Sequence, residues 1–306
     1  MENIALELKG ITKTFGKVVA NKNINLTVKK GEILSLLGEN GSGKTTIMRL
    51  VSGLANPTSG EYSLFGINFK DRKIYQARKQ VSAIVETVSL VPSLTAKQNM
   101  IYQELYEGIK LSEEEREALL KKVNLADVEN KKVKNYSLGM RQRLGIALAL
   151  MSKPKLMFLD EPMNGLDPEG IAELRDLLIE LNQKDGITVL ISSHILSELE
   201  KIASCYGFIS KGKLIEEISA EELQKRCKKS LNLKVGNLDA AKEILANLKL
   251  KDVNIYPNGE IKIYDDIKVN KVVMAFDKAG VELLGIHTSE GSVEDYYLDL
   301  VKGGQE

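Results

Sequence analysis

The stretch LLGENGSGKTTIM, residues 36–48, constrains the fold more than any other part of the chain. From Gly38 to Thr45 it follows the spacing G-x-x-x-x-G-K-T, with the apolar run ILSLLG before it and the helix-forming run KTTIMRLV after it. Gly38, Gly41 and Gly43 let the backbone turn where a Cβ would obstruct it, so that several N–H groups point into one concavity. The helix that follows adds its positive N-terminal end, and loop and helix together make a cradle for phosphate oxygens. The spacing marks Gly38, Asn40, Gly41, Ser42, Gly43, Lys44, Thr45 and Thr46 as phosphate contacts, with Lys44 reaching the β and γ phosphates and the Thr45 hydroxyl placed for Mg²⁺.

A strand that runs through such a loop into a helix belongs in a parallel sheet, and the same order returns twice, with KLMFLD before PEGIAELRDLLIELNQ and ITVLISS before HILSELEKIA. Residues 1–36 have another texture. Ile4, Leu6 and Leu8 alternate, as do Ile24, Leu26 and Val28, with turn residues at Phe15-Gly16-Lys17 and Lys30-Gly31-Glu32, which predicts antiparallel strands. Residues 95–152 carry almost no strand signal and predict a helical subdomain over about 93–152. A soft boundary near residue 218 separates residues 1–218 from 219–306. Beyond it a charged helix, 220–229, precedes an alternating strand at Leu231, Leu233 and Val235, a helix through Ala241, Ile244, Leu245 and Leu248, and two short strands about Pro257-Asn258-Gly259. A second helix through Val269, Val272, Val273 and Phe276 and a strand over 282–286 complete the order β-α-β-β-α-β, that of a small ferredoxin-like α+β domain.

A phosphate site needs acids nearby. In KLMFLDEPMNGLD, residues 155–167, an apolar strand ends in Asp160, which brings a carboxylate to the sheet edge where it can hold a water on Mg²⁺. Glu161 follows and alternates away from it, toward where an attacking water would lie, which suits a general base. Adjacent acids also serve simply to end a strand before a turn such as Pro162. His194 ends a third apolar strand at the same edge, where it can donate to the γ phosphate; a solitary histidine there is as often structural.

Composition narrows the partners. Lys and Arg total 43 against 42 Asp and Glu, so the formal charge of +1 offers no electrostatic case for nucleic acid. No apolar stretch approaches the roughly 20 residues of a membrane span, and MENIALELKG lacks the pattern of a signal peptide, so a cytosolic chain is expected. Cys205 and Cys227 sit in unrelated contexts, without metal-ligand spacing.

The stretch NYSLGMRQRLGIALALM, residues 135–151, resembles the signature motif of ATP-binding-cassette (ABC) ATPases. Ser137 is a good N-cap and Gly139 permits close backbone approach, so this helix start is a second anion site. The resemblance covers residues 4 to about 218 and includes Phe15, the phosphate loop, the signature, Asp160-Glu161, the turn Asn164-Gly165-Leu166-Asp167 and His194. It implies an ABC-type phosphate-loop fold, with a mixed α/β core, an antiparallel β subdomain and a helical subdomain. It implies that Phe15 stacks on adenine and that Glu161 and His194 are catalytic. Two copies would sandwich ATP and Mg²⁺ between the phosphate loop of one and Ser137 and Gly139 of the other.

Departures refine the resemblance. Leu138 stands where the signature usually has glycine, and packing is expected of it; Met140 replaces a common glutamine. In AIVETVSLVPSL, residues 83–94, Glu86 occupies the place of a glutamine that in most ABC ATPases touches Mg²⁺ and passes motion to the membrane subunit. By composition alone it is a solvated loop charge. A glutamate there, with a YSLGM-type signature and a C-terminal extension, is similar to the bacitracin-resistance and lantibiotic-export branch. That resemblance implies a homodimeric ATPase, peripheral on the cytoplasmic membrane face, driving a separate permease docked near residues 86–100, with Val88, Leu90, Val91 and Leu94 as contacts or as subdomain core. The competing readings are a soluble ABC protein acting on nucleic acid or ribosomes, and a small-molecule kinase or GTPase.

Overall fold

The computed structural model describes residues 3–303 apart from Ile195, Lys228, Lys249 and Glu290. The chain divides into two compact units, Met1–Ala220 and Glu221–Glu306.

The first unit opens with strands β1 (Ile4–Phe15) and β2 (Val18–Lys29), an antiparallel hairpin in which Leu6 faces Val28 and Leu8 faces Leu26. Period-two alternation puts these apolar residues on one face, and that face is buried. Strand β3 (Ile33–Leu37), buried at every position, leads through the phosphate loop to helix α1 (Lys44–Val51). Strands β4 (Ser59–Leu64) and β5 (Ile67–Asn68) extend the hairpin into a sheet of order β2-β1-β4-β5. Helix α2 (Ile74–Arg78) and strand β6 (Val81–Ile84) follow. Three helices then stand together, α3 (Ala96–Glu107), α4 (Glu113–Lys122) and α5 (Leu138–Leu150). Thr95-x-x-Gln98 and Ser112-x-x-Glu115 close reciprocal capping boxes that start α3 and α4.

The core sheet resumes with β7 (Leu156–Asp160), helix α6 (Pro168–Gln183), β8 (Thr188–Ser193), the single-turn helix α7 (Leu196–Leu199), β9 (Cys205–Ser210) and the returning strand β10 (Lys213–Ser219). Its order is β10-β9-β3-β8-β7-β6, parallel from β9 to β6 with β10 antiparallel at one edge. Near-continuous apolar strands suit a sheet covered on both faces. Ile47 and Val51 of α1 bury in one core with Leu6 and Leu26 of the antiparallel sheet and Leu36 and Phe158 of the parallel one, so the phosphate-loop helix is held between the two sheets.

The second unit begins with α8 (Ala220–Arg226), shorter than the predicted 220–229. It continues through β11 (Ser230–Val235), α9 (Leu238–Asn247), β12 (Val253–Ile255), β13 (Glu260–Ile263), α10 (Val269–Lys278), β14 (Leu283–Ser289) and α11 (Val293–Gly303). The fully antiparallel order β12-β13-β11-β14 is that of a ferredoxin-like sheet, and α9 and α10 pack on Leu231, Leu233, Ile261 and Ile263. Helix α11 lies outside the predicted pattern. Asp299 on it accepts from Lys262 Nζ at 2.7 Å, Tyr256 OH at 3.1 Å and Tyr264 OH at 3.2 Å. Burial first, then the Asp299 charge, pushes the Tyr256 hydroxyl up to about 12.

Candidate active site

Parallel register brings the site residues to one sheet edge. Leu37 is level with Ser193, Asp160 with Ser192, and Ile84 with Leu159, so the phosphate loop, His194, Asp160-Glu161 and the Glu86 bend all leave the sheet at its carboxyl end.

Two glycines of the loop are dictated by contact. A Cβ on Gly38 would lie 2.3 Å from Ile209 O, and one on Gly43, at φ +108°, would lie 2.4 Å from Asn21 Nδ2 and 2.7 Å from Ala20 O. Asn21 Nδ2 donates to Gly43 O at 3.2 Å, fixing the turn from beneath. Lys44 is only 5% exposed; its ammonium donates to Gly38 O at 2.7 Å and Glu39 O at 3.2 Å and lies 3.4 Å from Glu161 Oε1. The loop opens into a cleft of about 460 Å³ that takes in Asn40, Gly41, Lys44, Thr45, Thr46 and Glu161 on its polar side and Val18 and Val19 on its apolar side.

The acids are organised by a residue that the motifs did not single out. Ser192, fully buried in β8, donates to Asp160 Oδ1 at 2.6 Å, and its Oγ accepts from the Glu161 N–H at 2.9 Å. The Glu161 N–H also reaches Ser192 O at 3.2 Å. This holds Glu161 at φ +48°, a left-handed conformation that costs a non-glycine residue on the order of 1–3 kcal/mol. Glu161 Oε2 lies 2.8 Å from His194 Nδ1 and accepts from the His194 backbone N–H at 3.3 Å. An ionised carboxylate only accepts, so the ring proton facing it sits on Nδ1. Glu161 thus stands between the Lys44 ammonium and the His194 imidazole. The only sequence signal for Ser192 was a pair of serines ending an apolar strand; for Asn21 it was one amide inside an alternating strand.

Other predicted residues stand apart from this cluster. Phe15 ends β1 beside Val18, half exposed, with Lys13 Nζ 4.8 Å above its ring, while the cleft wall is made by Val18 and Val19. Ser137 caps α5 by accepting from Met140 N at 3.2 Å, and Gly139 is buried against Leu166 and Gly170. Leu138 is 44% exposed, and its Cδ2 lies where a Cβ on Gly165 would meet it at 3.2 Å. Glu86 is exposed and pairs with Arg49 at 3.4 Å. Val88 packs against Gly145 of α5, where a Cβ would come within 2.5 Å; Leu90, Val91 and Leu94 are half-buried.

A phosphate cradle, a buried lysine and a glutamate held between that lysine and a histidine at the carboxyl edge of a parallel sheet define a phosphate-loop nucleotide hydrolase. The family model for ABC transporters matches residues 21–164. The chain is 40% identical to the bacitracin transport ATP-binding protein BcrA of Enterococcus faecalis over 98% of its own length and 97% of that protein's. It is 42% identical to the lantibiotic transport ATP-binding protein SrtF of Streptococcus pyogenes, over 69% of this chain and 90% of that one. A dimeric ABC cassette solved in a post-hydrolysis state with ADP and phosphate superposes with TM-score 0.62 at 29% identity, covering 70% of this chain and 98% of that chain. The protein belongs to the ATP-binding subunits of ABC transporters, whose cassettes hydrolyse ATP to power transport.

Proposed function

We propose that this chain drives export of a peptide antibiotic or similar amphipathic substrate through a separate membrane permease, by ATP hydrolysis at two sites shared between two identical copies. The observation that carries the mechanism is Glu161, held at 3.4 Å from Lys44 and 2.8 Å from His194 at the mouth of the phosphate cradle. A water in line with the γ phosphate gives its proton to Glu161 as its oxygen bonds to phosphorus, and the bond to the ADP oxygen breaks. Lys44 exchanges its loop carbonyls for phosphate oxygens. For His194 to donate to the γ phosphate, its ring must release Glu161 or carry a second proton, since in the neutral ring Nε2 is then the acceptor.

The residues suit a magnesium ion: the Thr45 hydroxyl lines the cleft, and Asp160 is buried with its Oδ1 fixed by Ser192. Thr45 would hold it directly and Asp160 through water, and it would neutralise charge on the β and γ phosphates. Glu86 is a third acid at the same edge. Ser137 and Gly139 would serve the nucleotide of the second copy, with Phe15 beside the adenine and residues 1–218 forming the nucleotide-binding domain.

Among the described residues no helix is long and apolar enough to cross a membrane, which suits a subunit held peripherally on the cytoplasmic face by its permease. The docking surface we assign runs over residues 86–100 and continues on α3, where Ile101, Tyr102, Leu105 and Tyr106 form one helical stripe and the last two are 79% and 82% exposed. Relatives named for bacitracin and lantibiotic transport support the substrate class. Lys44→Ala should abolish ATP binding, and the intact chain should co-purify with a permease from membranes. Unchanged nucleotide affinity would remove the catalytic reading; a Leu105→Asp/Tyr106→Asp variant that still co-purifies would remove the docking surface.

A further inference from the structure

The bend after β6 is built around Glu86. The Thr87 N–H donates to Val85 O at 2.9 Å, and Glu86 between them sits at φ +67°. A three-residue turn closed in this way, with positive φ at its centre, is the rare and strained form of the γ-turn. Such a conformation persists only where its surroundings over-determine it.

They do so on both sides. Upstream, β6 is locked in the core sheet, with Ile84 paired to Leu159. Downstream the segment is fastened to the helices. Val88 fills the space left by Gly145 of α5, and the Val91 N–H and C=O are both held by the Asn99 side chain, at 2.8 and 3.2 Å. Pro92 O and Leu94 O accept from Lys134 and Val133 at 2.8 and 2.9 Å. The mismatch between the two anchored ends falls on one residue, Glu86.

The carboxylate of that residue meets a cation from a third direction. Arg49 Nη1 lies 3.4 Å from Glu86 Oε1, and Arg49 follows Thr45 by four residues on α1, so the two share a helix face. The ion pair therefore links the phosphate-loop helix to the bend from which the chain passes to the helices. A glutamine at 86 would offer Arg49 only a neutral amide oxygen, so the pairing gives a chemical reason for an acid at this position. We propose that Arg49 is a positioning residue: it holds Glu86 at the apex of the strained turn and so sets where the 88–94 segment stands relative to the phosphate-loop helix.

The test is hydrogen exchange of the amides of residues 87–90 in the full-length protein, compared among wild type, Arg49→Gln, Glu86→Gln, the double variant and Arg49→Lys. The strength of an exposed ion pair predicts exchange about two- to fivefold faster in either single variant. The double variant should be no faster than the singles, and Arg49→Lys should stay near wild type. At 1 M salt, where screening falls to about 3 Å, the gap between wild type and Arg49→Gln should close, which loss of mere packing would not produce. Wild-type exchange in Arg49→Gln would overturn the proposal, as would an equal acceleration by Arg49→Gln when Glu86 is already glutamine. None of these measurements requires hydrolysis, so they stand or fall separately from the ATPase mechanism.

Discussion

Replacing Ser192 by alanine should injure both stability and turnover. The hydroxyl is fully buried, gives its proton to the Asp160 carboxylate at 2.6 Å and receives the Glu161 N–H at 2.9 Å. A hydrogen bond to a charged group contributes about 1.5–3 kcal/mol, and Glu161 keeps its second contact with Ser192 O, so the net loss is about 2–3 kcal/mol. For a domain of roughly 150–250 residues this lowers Tm by about 4–12 °C. If about 1.4 kcal/mol of that loss appears as displacement of the strained Glu161 backbone, turnover falls about tenfold. Thermal melting together with steady-state phosphate release measures both. Ser35 is the control, because its Oγ is equally buried in β3 and makes no hydrogen bond among the described residues. Ser35→Ala should be neutral or stabilising. A Tm within about 1 °C of wild type and unchanged turnover in Ser192→Ala would refute the reasoning, as would an equal loss in Ser35→Ala.

Three other outcomes follow from the geometry. Glu161→Gln should retain nucleotide affinity while stopping phosphate release, and size-exclusion chromatography with ATP should show a trapped dimer; hydrolysis near wild type would remove Glu161 from its role. Gly43→Ala should cost at least about 1–2 kcal/mol from the left-handed backbone alone, before the 2.4 Å clash with Asn21, and ATP affinity measured by calorimetry should fall with it. Burial pushes the Cys205 thiol up to about 12, so it should resist alkylation at pH 8 in the folded protein and react once the chain unfolds in denaturant.

The motifs most legible in the sequence are those whose chemistry is local. The glycine spacing of residues 38–45, the cap Ser137 and the alternation of Ile4, Leu6 and Leu8 each act within a few residues of chain, and each has its counterpart in the structure. The helix expected after TVLISS shrinks to Leu196–Leu199 among the described residues, and α11 was not anticipated. Helix α11 depends on a contact rather than a period. Its Asp299 answers Lys262, 37 residues earlier and on a different element.

By itself the sequence determined a nucleotide-binding parallel sheet, because a strand, a glycine-rich turn and a helix in that order have few ways to satisfy their backbone groups. It also named the acids and the histidine of the site. Only the tertiary structure decided what holds them. Ser192 reaches Asp160 because β7 and β8 lie side by side in parallel register, and Arg49 reaches Glu86 because α1 is packed between two sheets. Those contacts span 32 and 37 residues of chain and have no periodicity to read, since they depend on how separate strands and helices are packed together.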